Sequence, residues 1–141
     1  MLAFLFALLL TPADPLAQTL TRAEVVGHVD DLLRCGGYGR TSNECAAFLI
    51  ADGQWIEWPR AAGFQKAHWS GPLPPGVIAI VHTHPRREPY PSSRDSDEAQ
   101  RLGIPIVAIT PATLGVARPD GKRLMIIERF GWAEVGTGSA K

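Results

Sequence analysis

Val77 to Asp95 reads VIAIVHTHPRREPYPSSRD, and the fold turns on how this stretch is interpreted. Val77 to Val81 is an unbroken apolar run rich in β-branched residues, the pattern of a strand covered on both faces, so it belongs in the centre of a sheet. His82-Thr83-His84-Pro85 continues it. Side chains alternate along a strand, so His82 and His84 share one face, close enough for two imidazoles to hold one metal. Pro85 ends the strand and leaves both rings at its mouth. Ser92-Ser93-Arg94-Asp95 then has the form of a helix start, a capping serine with an acidic residue three positions on. A short polar helix over Ser92 to Leu102 follows, closed by Gly103. Asp95 thus lies in the first helical turn, from which its carboxylate can fold back toward the histidines. Two imidazoles and one carboxylate, with the fourth position left to water, form a catalytic zinc set. Each part also has a plain structural reading: an isolated His-x-His is commonly incidental, and Ser-x-x-Asp is a helix cap in its own right. Order and spacing together make the set specific.

Upstream, Thr21-Arg22-Ala23-Glu24 has the capping-box form, and Ala23, Val25, Val26, Val29, Leu32 and Leu33 recur at helical spacing until Gly36-Gly37 stops them. One amphipathic helix is expected there. Glu44 to Ala51 is expected as a buried strand, Asp52-Gly53 as a hairpin turn, and Gln54 to Trp58 as the partner strand. Gln65 to Trp69 is a further candidate strand. After the Ser92–Leu102 helix, Ile104 to Thr110, Thr113 to Ala117 and Arg123 to Ile127 carry strand patterns, the last two joined by a Pro119-Asp120-Gly121 turn. The order helix, strands, helix, strands predicts an α/β or α+β layered architecture.

Composition bounds the rest. A chain of 141 residues, 45% apolar, supports one compact domain. Its 14 basic and 14 acidic residues balance to zero without a basic stripe, which argues against a nucleic-acid grip through many phosphates. With 20% charged residues it does not have a disordered composition, while 14 Gly and 12 Pro predict many turns. Leu2 to Leu10 is an apolar run with the length of a signal-peptide core, too short for a membrane span, with cleavage points after Ala13 or Ala17. No Lys or Arg precedes it, so a buried first element or an uncleaved lipid anchor are the competing readings. The expected organisation is a leader over 1–17, one domain over 18–135 and a frayed tail over 136–141, with no stable membrane span once the leader is removed. The protein is then exported, periplasmic or secreted, and otherwise cytoplasmic. After export Cys35 and Cys45 can pair; the competing reading is two ordinary buried thiols.

Taken together, His82-Thr83-His84-Pro85, the seven residues Pro85 to Pro91, and Ser92-Ser93-Arg94-Asp95 resemble the JAMM, or MPN-plus, metalloprotease family, whose module is the JAB domain. The family pattern is a distant upstream Glu, then His-[Ser/Thr]-His, seven residues, and Ser-x-x-Asp. Glu44 is the upstream candidate, because Ala47 and Leu49 follow it as in the family's Glu-x-x-Gly-x-Leu, with Ala47 where Gly is common. The resemblance covers Thr21 to Ile127, in a small prokaryotic-type form. It implies a JAB/MPN-like, cytidine-deaminase-like mixed sheet flanked by helices. It also implies one zinc ion (Zn2+) per chain held by His82, His84 and Asp95, with Glu44 as general base and Ser92 as donor to the oxyanion. The implied activity is that of a zinc metallopeptidase or isopeptidase acting on a peptide or protein substrate through a metal-activated water. A non-catalytic JAB-like binding or assembly module is the alternative.

Other candidates have plainer readings. Glu57 is the nearby rival to Glu44, and either can be a surface carboxylate. His28 and His68 lie outside the motif, at a polar surface or a satisfied buried position. Trp55, Trp58, Trp69 and Trp132 either line a cleft or pack. Arg86, Arg87 and Arg94 flank the site, either as a grip on a substrate carboxylate or as solvated loop charges.

Overall fold

The computed structural model describes residues 15–59 and 69–128. Two helices, α1 (Pro15–Leu20) and α2 (Ala23–Cys35), precede the hairpin β1 (Ala46–Ile50) and β2 (Trp55–Glu57). Then come β3 (Val77–Thr83), α3 (Ser93–Leu102), β4 (Ile106–Ile109), β5 (Thr113–Ala117) and β6 (Arg123–Glu128). The strands form one mixed sheet in the order β2-β1-β3-β4-β5-β6. Its one parallel pair is β3 with β4; the others are antiparallel. A parallel neighbour cannot be reached by a tight turn, so the chain crosses over through α3. The crossover brings the start of α3 back to the end of β3.

Strand alternation sorts the core into two faces. Ala47 and Leu49 of β1, Ala79 and Val81 of β3, Val107 and Ile109 of β4, and Leu114 and Val116 of β5 pack against Val25, Val29, Leu32 and Leu33 of α2. Phe48, Ile80, Ile106 and Ala117 face the opposite way, toward Ala99 of α3. The sheet is therefore a middle layer, and β3, paired on both sides, is its buried centre, as its apolar run requires.

Three local outcomes differ from the sequence pattern. Helix α1 forms because Pro15 suits a first helical turn and Leu16 and Leu20, one turn apart, both bury in the α2-side cluster. Thr21 is then not the cap of α2. Its hydroxyl donates to the Ala17 carbonyl at 2.6 Å, closing α1, and Arg22 takes the cap position without a side-chain cap bond while pairing with Glu24. The first strand starts at Ala46 rather than at Glu44. The Leu2–Leu10 run, the Gln65–Trp69 strand apart from Trp69, and the 136–141 tail lie outside the described residues.

Cys35, the last residue of α2, is joined to Cys45, just before β1, by a disulfide with its Cα atoms 6.1 Å apart. The pairing settles the two readings left open for these cysteines. It closes a loop with a sequence separation of 10, and removing that constraint from the unfolded chain should cost about 2–3 kcal/mol. A Cys35→Ala/Cys45→Ala double variant is expected to show this loss as an earlier urea midpoint, with a slope no smaller than that of the parent because the freed denatured chain exposes more surface.

Candidate metal centre

The three residues of the sequence motif converge at the end of β3. His82 pairs laterally with Ala46 on one side and Ala108 on the other, and Ala108 pairs in turn with Gly115. His82 and Ile80, two residues apart, share the face that looks toward α3. The small neighbours leave room above the sheet for the returning chain. Gly115 is where the chain comes closest: a Cβ there would lie 2.7 Å from Cδ of Pro91 and 3.2 Å from the Pro89 carbonyl oxygen. The loop between His84 and α3 therefore rests on bare backbone, and the Arg123 guanidinium holds its end by donating to the Pro91 carbonyl at 3.2 Å.

From that loop α3 starts with a reciprocal cap. The Asp95 amide donates to Oγ of Ser92 at 3.2 Å, and the Ser92 amide donates to Oδ2 of Asp95 at 2.7 Å. The cap fixes the carboxylate with its oxygens toward the histidines: Oδ1 is 3.3 Å from Nε2 of His82 and Oδ2 is 3.1 Å from Nε2 of His84. The imidazole centroids are 5.0 Å apart. His82, His84 and Asp95 are 2%, 6% and 9% exposed, so their polar atoms must be satisfied inside the protein.

The ring contacts decide which nitrogens are available. Nδ1 of His84 lies 2.8 Å from the Glu88 carbonyl oxygen; a carbonyl only accepts, so Nδ1 carries the hydrogen and the lone pair of the neutral ring is on Nε2, facing Asp95. His82 likewise turns Nε2 to Asp95. Backbone anchoring of the second nitrogen, as the Glu88 carbonyl provides for His84, is usual for metal-ligating histidines. Burial pushes His82 below the ordinary histidine range, against the opposing pull of the Asp95 and Glu44 charges. Burial also lowers His84, but the Asp95 hydrogen bond, the Glu88 carbonyl and the Asp95 and Glu44 charges outweigh it and raise the group. Burial raises Asp95, and the His82 charge, the His84 hydrogen bond and the Ser92 amide overcome it, holding the carboxyl well below the usual carboxylate range. One ligand atom from each residue can be chosen so that all three lie within 4.8 Å of one another. The ligands of a four-coordinate zinc sit roughly 3.3 Å apart, close to both histidine–carboxylate spacings. The donor set fits a metal ion.

Glu44 lies two residues before Ala46, and the antiparallel pairing is carried past β1 by two bonds. The Thr83 amide donates to the Cys45 carbonyl and the Cys45 amide donates to Oγ1 of Thr83, both at 2.9 Å. By that register Glu44 stands beside His84, half-buried, and its charge raises both imidazoles. Glu57 pairs with Ala47, on the face toward α2, which removes it as a rival. Ser92 accepts the Asp95 amide, so its hydroxyl hydrogen is left to donate. His28 is exposed and stacks on Trp55, their ring centroids 5.9 Å apart, on the other side of the sheet. Trp58 and Trp69 pack on Phe48 at 5.3 and 4.7 Å. Arg86, Arg87 and Arg94 are all exposed, and Arg87 donates to the Tyr38 carbonyl at 3.2 Å. His68 and Trp132 lie outside the described residues. The Glu88 backbone contact is not legible in the sequence, because a carbonyl partner leaves no mark on residue type.

A family model described as prokaryotic homologs of the JAB domain matches residues 34–127. That span contains Glu44, His82, His84, Ser92 and Asp95. No curated protein and no solved structure matches the chain.

Asp95→Ala is expected to abolish tight metal retention, measured by elemental analysis after dialysis. Undiminished metal content would refute the ligand role. Because His84 holds its proton more tightly than an ordinary histidine, metal must displace that proton. Affinity is therefore expected to fall about tenfold per pH unit below the raised His84 value, and to level off above it, in chelator competition across pH.

Proposed function

Since the chain belongs to the prokaryotic JAB-domain family and has its mixed-sheet, α+β fold, we propose that it is a zinc-dependent metallopeptidase that hydrolyses a peptide or isopeptide bond. The observation that carries this reading is the buried His82, His84 and Asp95 cluster, in which both imidazoles present Nε2 to the same carboxylate and the Glu88 carbonyl anchors the His84 ring. A scaffold protein has no physical need for such a donor set.

In this reading His82, His84 and Asp95 hold the ion, which when bound supplies Lewis acidity to the water and to the scissile carbonyl. Glu44, beside His84 on the same side of the sheet, takes the proton of the attacking water and delivers it to the leaving amine. Ser92 spends a lone pair on the helix cap and offers its hydroxyl hydrogen to the oxyanion as the carbonyl becomes tetrahedral. The substrate is a peptide or protein chain, and the absence of a basic stripe leaves nucleic acid without a grip.

We place the protein outside the cytoplasm, in the periplasm or the medium. The Leu2–Leu10 run and the Cys35–Cys45 disulfide both support this. Leader removal after Ala17 would cut through α1 and take Leu16 out of the core, whereas removal after Ala13 spares both. We therefore favour the cut after Ala13. Among the described residues no helix is long and apolar enough to cross a membrane.

The test is zinc content and hydrolysis of peptide and isopeptide libraries by the zinc-loaded protein, beside a Glu44→Gln variant. The variant is expected to keep its zinc and to lose at least about a hundredfold in rate, as removal of a general base does. Unchanged turnover would reassign the base. Stoichiometric zinc with no hydrolysis of any amide would move the reading to a binding or assembly module.

A further inference from the structure

The loop closed by the disulfide is pressed against the turn that carries His84. Pro85–Arg87 forms one turn of 3-10 helix, closed by the Glu88 amide donating to the Pro85 carbonyl at 3.3 Å. Within it Arg86 and Arg87 both have φ of 56°, and across from them Tyr38 has φ of 51°. Side-chain-bearing residues rarely occupy this left-handed region, and they stay there only where the surroundings impose it. The surroundings are visible. Nε of Arg87 donates to the Tyr38 carbonyl at 3.2 Å, and the Tyr38 hydroxyl reaches back to Asp30 of α2 at 3.3 Å. Gly39 is buried under the turn: a Cβ there would meet Cγ of Arg87 at 2.6 Å and the Arg87 backbone nitrogen at 3.0 Å. The residue after Arg87 is Glu88, whose carbonyl accepts from Nδ1 of His84 at 2.8 Å.

We propose that Arg87 is a positioning residue for the metal centre: seated on Tyr38 and Gly39, it holds the Pro85–Glu88 turn so that the Glu88 carbonyl fixes the tautomer and direction of the His84 ring. This role rests on the metal-centre reading above and extends it to residues outside the ligand set. Losing an outer contact of this kind typically weakens metal binding by about 10–100-fold.

The experiment uses the full chain. Zinc affinity is measured by chelator competition, the His84 tautomer by long-range nitrogen–proton correlation of the metal-free protein in alkaline buffer, where the ring is neutral, and thermal stability in parallel. Arg87→Ala is expected to weaken zinc by about 10–100-fold and to let the Nδ1-protonated form of His84 mix with the other tautomer. Arg87→Lys, which still has a donor for the Tyr38 carbonyl, is expected to recover most of the affinity. Gly39→Ala should behave like Arg87→Ala. Its matched control is Gly103→Ala, at φ of 70° with nothing within 4 Å of the added Cβ, which carries a similar backbone penalty and should leave zinc affinity unchanged. Arg87→Ala with wild-type affinity and an unchanged His84 tautomer would overturn the proposal and leave the metal centre standing. So would losses that merely track thermal stability and appear equally in Gly103→Ala. Failure of the wild-type chain to take up zinc would overturn both readings.

Discussion

The site depends on where α3 begins. Oδ2 of Asp95 accepts the Ser92 amide at 2.7 Å while the Asp95 amide is bonded to the Ser92 hydroxyl, and this reciprocal cap leaves the carboxylate almost no freedom. A helix start one residue later would swing residue 95 about a hundred degrees around the axis and away from both imidazoles. The cap also satisfies two amides that the helix cannot satisfy itself, and the partial positive charge of the helix start favours the ionised carboxylate. The same few atoms terminate a helix and hold a carboxylate in its charged form.

Placement of that cap follows from the sheet. Parallel pairing of β3 with β4 forces a crossover, and the crossover returns the start of α3 to the end of β3. Alternation then puts His82 on the side that α3 covers, with Val81 packed on α2 behind it. Ala46, Ala108 and Gly115 complete the lateral row. A side chain at Gly115 would lift the Pro89–Pro91 segment, and with it the cap. Thr83, between the two histidines, points the other way and receives the Cys45 amide, which ties β1 to the ligand strand where Glu44 emerges.

Much of this was legible in residue order. The apolar run, His-Thr-His and Ser-x-x-Asp carry their own periodicities, so β3, α3 and the three converging side chains could be read directly, as could the hairpin around Gly53 and the bounds of β5. Helix α1 was hidden because Pro15 and Leu16 follow an apolar run that resembles a leader. The Thr21 cap was misread because a hydroxyl at the end of one helix and the start of another has the same spacing in both roles. Glu44 was assigned to the strand itself; it precedes β1, and only the pairing beyond Ala46 puts it beside His84. The anchoring carbonyl of Glu88, and the seat made by Tyr38 and Gly39, arise from backbone geometry that residue types do not encode.

The disulfide gives the molecule an uneven distribution of local opening. Cys35 to Cys45 is a covalent ring, and β3 to β4 is the most enclosed part of the sheet, so every group assigned to the centre belongs to one or the other or lies on the crossover between them. The edge strands β2 and β6 contribute no ligand. Edges open first and most often in any sheet, so here they can breathe, exchange amide hydrogens or pair with an incoming chain while the ligand geometry stays closed. The excursions that expose its margins are then not the ones that disturb the three side chains of the candidate centre.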